Sequence, residues 1–220
     1  MSWLGRLVGR EGASERSRAD LLNHLIQRNG YETYLEIGVR DPTLNFDKIR
    51  VRTKHAVDPA PAGPISHKMT SDAFFQHLAT GAPGTLYDLV FIDGLHIADQ
   101  VERDVAHALR HLAPRGTIVL HDVNPLTRDA QTDDYDGAKR WNGTVWKAWA
   151  KLRATAADLS MCVVDMDEGC GVIQRGSQTC WPLPTLDYAA LDYKYLKRHR
   201  RGLLNLVPPS RFFAATTRAA

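Results

Sequence analysis

The chain has 220 residues, 44% of them hydrophobic and 24% charged, and a formal net charge of +3. These values suit one globular domain with a full core and are too weakly basic to imply a nucleic-acid partner. Cys162, Cys170 and Cys180 form no Cys-x-x-Cys pair and leave one thiol over, which speaks against a disulfide framework and for a reducing compartment.

The start offers no secretory apolar run, since Trp3, Leu4, Leu7 and Val8 are broken by arginines, and nowhere do about 18 apolar residues run together. A soluble cytoplasmic protein without a membrane span is expected. From about Ser14 to Asn29, Leu21, Leu22, Leu25 and Ile26 share one helical face, and Gly30 closes the helix. Tyr34 to Val39 reads as a buried parallel strand. A helix is expected over Leu44 to Ile49. Lys54 to Asp58 reads as a second strand, stopped by Pro59 and Pro61. Ile65 to Met69 reads as a third, weak strand, and a helix follows through Phe74, Phe75 and Leu78.

Tyr87 to Asp93 is a strand bounded by Gly84 and Gly94, after which Ile97, Val101, Val105, Ala108 and Leu112 recur at helical spacing. Pro114-Arg115-Gly116 turns the chain into the strand Thr117 to His121. Asn124 to Asp136 is polar and turn-rich, with Pro125, Asp129, Asp133, Asp134 and Asp136, and reads as a mobile loop over a site. A helix with Trp141, Trp146 and Trp149 follows. Leu159 to Val164 and Gly171 to Gln174 complete the strands.

Strands alternating with helices predict an α/β protein with a Rossmann-like, mostly parallel sheet of seven strands. The last two strands are too close in sequence to hold a helix between them, so they form an antiparallel terminal hairpin. One domain is expected over 1–220, with its core at about 14–176, a covering loop at about 124–140 and a helical tail at about 185–220. In the tail, Lys197 to Arg201 reads as a solvated basic helix end. Tyr188, Tyr193 and Tyr195 are left to packing or to self-association as a homodimer.

Ligands of such sheets bind at the carboxyl ends of the strands. Here every strand end is polar and every strand body apolar. Glu36, Gly38 and Arg40 end the first strand and Asp58 the second. Asp93 and His96 follow the strand at 87–93, and His121, Asp122 and Asn124 end the strand at 117–121. Asp58, 22 positions beyond Glu36, stands where an acidic side chain accepts hydrogen bonds from a ribose diol. Alone it would be an ordinary solvated Asp; Glu36 and Gly38 upstream favour the ribose. Gly38 lets the backbone approach a cofactor closely. Arg40 replaces a second glycine and Asp41-Pro42 follows, so few bare amides remain for a pyrophosphate. S-adenosylmethionine, an adenosine cofactor without phosphate, fits better than NAD.

The stretches Tyr34–Arg40, Val57–Pro59, Phe91–His96, Ile118–Pro125 and Trp141–Trp149 together resemble a bacterial family of class I S-adenosylmethionine-dependent methyltransferases, of the sugar O-methyltransferase type found with polysaccharide and glycan biosynthesis. The resemblance spans roughly residues 30–176. It implies methyl transfer to a hydroxyl of a small saccharide or oligosaccharide. It also implies that Glu36 and Gly38 line the methionine and ribose portion, with Asp93 beside them. Asp58 would hold the ribose, and Ser71 or Asp72 would face adenine. Asp93 and Asp122 match two carboxylate positions of metal-dependent members, with Asn124 or His96 completing a site for Mg²⁺ or Mn²⁺. Val123 departs from that pattern, standing where a second Asp or Asn is common.

A hydroxyl must lose its proton as its oxygen attacks the methyl carbon, and histidine is the commonest base near neutral pH. A lone strand-end histidine is usually a satisfied hydrogen-bonding residue. Two of them, each within three positions of an acid, point to a base at His121, with His96 in reserve. Trp141 could stack on a sugar face, whereas helical spacing assigns Trp146 and Trp149 to packing. The rival readings are an NAD-dependent oxidoreductase, a non-haem iron oxygenase or hydroxylase using His96, His121 and Asp122, and a non-catalytic cofactor-binding module. Missing glycines disfavour the first, and the absence of a recognised His-x-Asp spacing disfavours the second.

Overall fold

The structure, a computed structural model, describes residues 16–135 and 140–215. The apolar residues at 3–8 and Asp136 of the expected covering loop lie outside the described residues. Strands β1 (Thr33–Ile37), β2 (Thr53–Val57), β3 (Tyr87–Ile92), β4 (Leu112–Leu120), β5 (Leu159–Val164), β6 (Cys170–Arg175) and β7 (Leu206–Val207) form one sheet in the order β2-β1-β3-β4-β6-β5-β7. The first four are parallel, β6 is antiparallel to both β4 and β5, and β7 is parallel to β5. Helices α1 (Arg18–Asn29), α2 (Ser71–Gly81), α3 (Ala98–Arg110), α4 (Val145–Thr155), α5 (Tyr193–Leu204) and α6 (Pro209–Ala214) cover the sheet. This is the Rossmann-like sheet with an antiparallel terminal hairpin that the sequence predicts.

Period-two alternation sorts the strand residues onto two faces. Tyr34, Leu89, Phe91 and Val119 pack against Leu21, Leu22, Leu25 and Ile26 of α1. Leu35, Ile37, Val90, Ile92, Ile118 and Leu120 pack on the other face, against Val101, Val105 and Ala108 of α3 and Trp146 and Trp149 of α4. Both tryptophans are fully buried, each removing on the order of 200 Å² from water and so contributing roughly 5 kcal/mol of transfer free energy. Helix α1 begins with a capping box between Ser17 and Asp20 and ends at Gly30, which is left-handed at φ 67°.

The expected elements differ in four places, two of them at element starts: β4 already begins at Leu112, before the expected turn at residues 114–116, and α4 begins at Val145, which leaves Trp141 outside it. Residues 65–69 do not form a strand: only Val57 and His67 bridge there. Their side chains alternate between half-buried and exposed, too little burial to hold an edge strand against solvent. The seventh strand is instead Leu206–Val207, brought to β5 by the tail. The helix expected over Leu44 to Ile49 shrinks to a single 3₁₀ turn, Phe46–Lys48. In the tail, Leu196, Leu203 and Leu204 are buried, while Tyr188 donates to Glu102 and Tyr193 to the Leu126 carbonyl. Lys197, Arg198 and Arg201 are exposed. Among the described residues no helix is long and apolar enough to cross a membrane.

Candidate active site

A cavity of about 900 Å³ opens over the carboxyl ends of β1, β2 and β3, as expected for a doubly wound sheet. Glu36, Gly38, Asn45, Asp58, Ser71 and Asp72 line one half; Asp93, His96, Asp122, Tyr135, Trp141 and Arg18 line the other.

In the first half the backbone does most of the shaping. The ladder continues past β1, with the Gly38 amide donating to the Val57 carbonyl and the Asp93 amide to the Ile37 carbonyl, both at 2.8 Å. Gly38 has φ +85°, and a Cβ there would run into the Asp93 carbonyl, so only glycine fits. Asp58 is pre-aimed: Oδ2 accepts from the Arg40 amide at 2.9 Å and Oδ1 from the Ala60 amide at 2.7 Å. Both oxygens keep further acceptor capacity toward the cavity. Glu36 is buried and accepts from the Tyr34 hydroxyl at 2.5 Å and the Asn45 amide at 3.0 Å. Burial pushes its pKa up to about 7, against the pull of those two hydrogen bonds. The Asn45 side-chain oxygen is buried without a partner. An orphaned acceptor beside a carboxyl suits the ammonium group of an amino-acid moiety. The cavity size, Asp58 and this acceptor pair together fit S-adenosylmethionine.

The second half is a network of side chains. His96 Nε2 lies 3.2 Å from Asp93 Oδ1, and its Nδ1 lies 3.4 Å from Asp122 Oδ2 without a hydrogen bond. Trp141 stacks on the His96 ring at 5.2 Å and 19°, with Tyr135 tilted against it at 5.5 Å. The turn after Trp141 locks onto the His96 backbone. The Thr144 amide donates to the His96 carbonyl at 2.7 Å, and a Cβ at Gly143, φ +57°, would run into that same carbonyl. Burial opposes a charge on His96, but hydrogen bonding to Asp93 and the Asp122 charge outweigh it, so its pKa is raised. Asp93 is held low, burial being outweighed chiefly by His121.

Of the two histidines considered for the base, His96 reaches the cavity and His121 does not. His121 is 5% exposed, with Nδ1 2.9 Å from Asp122 Oδ2 and 3.2 Å from Asp93 Oδ1, and Nε2 3.5 Å from Asp167. Burial disfavours its charge, but these carboxylates overcome that and raise its pKa well above the ordinary value. Asn124 also lies outside the cavity, donating to Asp165 at 3.0 Å and accepting from Arg200. Ser71 and Asp72 sit at the start of α2, within hydrogen-bond reach of Gln100 at 3.2 and 3.3 Å.

Two residues escaped sequence reasoning. Asn142 is buried and donates to Asp122 Oδ1 at 2.6 Å, fixing a residue at φ +60°. The Asn142-Gly143 pair signals a tight turn, but nothing in the sequence says what the turn faces. Arg18, the first residue of α1, reaches Asp93 Oδ2 at 3.2 Å from 75 positions away.

Asp93, His96 and Asp122 bring three donor atoms within 4.8 Å of one another, and their types suit Mg²⁺ or Mn²⁺. The surroundings do not. Asp93 Oδ1 is engaged by His96 and His121 and Oδ2 by Arg18, while Asp122 Oδ1 takes Asn142 and Oδ2 takes His121. All four oxygens are engaged, one of them by a permanent cation. A divalent ion does not fit this arrangement as folded.

Residues 50–123 match a family model described as a methyltransferase domain. No curated protein is similar enough to the chain to match it. Among solved structures, a cofactor-bound protein from MTB superposes with a TM-score of 0.53 at 15% identity, over 77% of this chain and 84% of that one. The SAH-bound methyltransferase of Podospora anserina gives 0.52 at 14% identity, over 74% and 80%. The Bacillus cereus O-methyltransferase in complex with SAH gives 0.49 at 14%, over 76% and 84%. The sheet order and the first two superpositions show that the chain has a Rossmann-like methyltransferase fold.

Proposed function

We propose that the chain is an S-adenosylmethionine-dependent O-methyltransferase, acting on a hydroxyl of a small saccharide or oligosaccharide in polysaccharide or glycan biosynthesis. The observation that carries this reading is one cavity with two unlike halves. A glycine cradle with Glu36, Asn45 and Asp58 stands against His96, whose Nδ1 has no hydrogen-bond partner. S-adenosylmethionine, when bound, supplies an electrophilic methyl group on a sulfonium. Asp58 holds the ribose hydroxyls, Asn45 and Glu36 receive the ammonium, and Ser71 and Asp72 stand at the adenine end. His96 is the base for the acceptor's proton: its Nε2–H is donated to Asp93, its Nδ1 is buried 3.4 Å from Asp122 Oδ2, and the two carboxylates stabilise the imidazolium that forms. His121 stays behind, outside the cavity. Asp93 and Asp122 orient these groups, and no step is assigned to Mg²⁺ or Mn²⁺.

The saccharide follows from the resemblance of the strand-end motifs and is supported by the wall of Trp141 and Tyr135 beside His96. Such a wall takes the apolar face of a hydroxylated ring. Three free thiols suit a cytoplasmic setting. A thermal-shift panel of S-adenosylhomocysteine, NAD and 2-oxoglutarate tests the cofactor: stabilisation by the first alone is expected, and stabilisation by either of the others alone defeats the reading. Mannosides, rhamnosides and catechols test the acceptor. Methylation of catechols with every saccharide ignored removes the sugar.

A further inference from the structure

Arg18 is placed by the fold rather than by chance contact. Ser17 caps α1, and the Arg18 amide donates to Asp167 Oδ2 at 2.7 Å in the turn between β5 and β6. From that anchor the guanidinium crosses to the end of β3. Nη1 lies 3.2 Å from Asp93 Oδ2 and 3.1 Å from His121 Nε2. The side chain is 25% exposed and lines the cavity. Burial works against its charge, but Asp93, Asp167, Asp122 and Glu36 more than compensate, so the group is held firmly ionised.

We infer that Arg18 is the resident cation of the Asp93–Asp122 pair, and that it keeps divalent metal out of the site. A metal ion needs carboxylate oxygens free to coordinate and a net negative pocket to enter. Here every oxygen already has a partner, and the ion would have to settle beside a guanidinium that cannot give up its charge. Removing that guanidinium leaves Asp93 Oδ2 without its charged partner beside His96 and Asp122, a three-donor set within 4.8 Å. Metal binding is therefore latent in the donors and suppressed by one side chain.

The chemistry is complete without the ion. The acceptor oxygen bonds to the methyl carbon, the carbon–sulfur bond breaks with its electron pair on sulfur, and the hydroxyl proton passes to His96. Arg18 acts through Asp93 and is a positioning residue. The meaning of the site rests on the methyltransferase reading, whereas metal exclusion can be measured apart from it.

Mn²⁺ alone is the probe, followed by the loss of its free-ion signal in electron paramagnetic resonance. Wild type should leave Mn²⁺ free and should turn over fully in EDTA. Arg18→Met should bind one Mn²⁺ at least tenfold more tightly than wild type, and Arg18→Lys, which keeps the charge, should not. Adding Asp93→Asn to Arg18→Met should abolish the new site. One Mn²⁺ per wild-type chain, lost in Asp93→Asn, overturns the inference. So does EDTA inactivation reversed by Mn²⁺, or no gain in a folded Arg18→Met. The wild-type titration decides even where the variants do not fold. Calorimetry with S-adenosylhomocysteine reports separately on the cofactor reading.

Discussion

The two halves of the cavity are built by different means. The half around Gly38 and Asp58 is made from residues that follow strand ends, shaped by backbone hydrogen bonds and one glycine that admits no Cβ. The other half is made from side chains of four separate segments, Arg18, Asp93 with His96, His121 with Asp122, and Asn142, each holding another. A backbone cradle is rigid and forgives the loss of one side chain. In a side-chain network, removing one member leaves a buried partner unsatisfied. Substitutions should therefore divide cleanly, those in the first half acting on cofactor affinity and those in the second on turnover.

The largest effect is expected at His96. His96→Ala should slow turnover by about 10²–10⁴-fold while S-adenosylhomocysteine affinity, read by calorimetry, stays within about twofold. In wild type, kcat/KM should rise with pH through a pKa above the ordinary 6.5, because the base must be unprotonated and its carboxylate neighbours favour the protonated form. Unchanged turnover in the variant removes His96 from the reaction. A large drop in cofactor affinity would show that the halves are not separable.

Gly38→Ala comes next. Left-handed strain and a collision with the Asp93 carbonyl should together cost roughly 2–4 kcal/mol of stability, seen in urea denaturation. An unaltered midpoint would mean that the cradle tolerates a Cβ. Asp58→Ala should be milder, weakening S-adenosylhomocysteine by about 1.5–3 kcal/mol through a lost charged hydrogen bond with the fold intact. Affinity within twofold of wild type would reassign Asp58 to holding the Arg40 and Ala60 amides alone.

The same division explains what the sequence discloses. Six of the seven strands were legible because their bodies are continuous apolar runs between turn residues, and the hairpin because Asp165 to Cys170 is too short for a crossover. Leu206–Val207 was not, since two residues carry no periodicity and pair only because α5 delivers them to β5. That Gly38 and Asp58 line the cavity could be read from their place just after β1 and β2. Arg18 and Asn142 could not, because their importance lies in what they touch across the fold. The burial of His121 was also hidden: its neighbour Asp122 says nothing of the turn at residues 167–169, which lies over it.

Glu36 joins the two halves, and its effect should be the smallest and the most specific. It is 2% exposed, and burial raises its pKa from 4.5 to about 7. The folded chain thus holds a proton that the unfolded chain has already released between those values. Stability must then fall as pH rises through that window, and the loss levels off above the folded pKa. Much of it has been incurred by pH 6; between pH 6 and pH 8 a further ~1 kcal/mol should go. Glu36→Gln keeps the shape, cannot ionise and lacks this contribution, while nearby histidines titrate in both proteins. Subtracting the denaturation free energies of the two at each pH isolates Glu36. The difference should move against wild type on going from pH 6 to pH 8, and a flat difference would mean that Glu36 is already ionised in the folded chain, with Arg18 as its counter-charge.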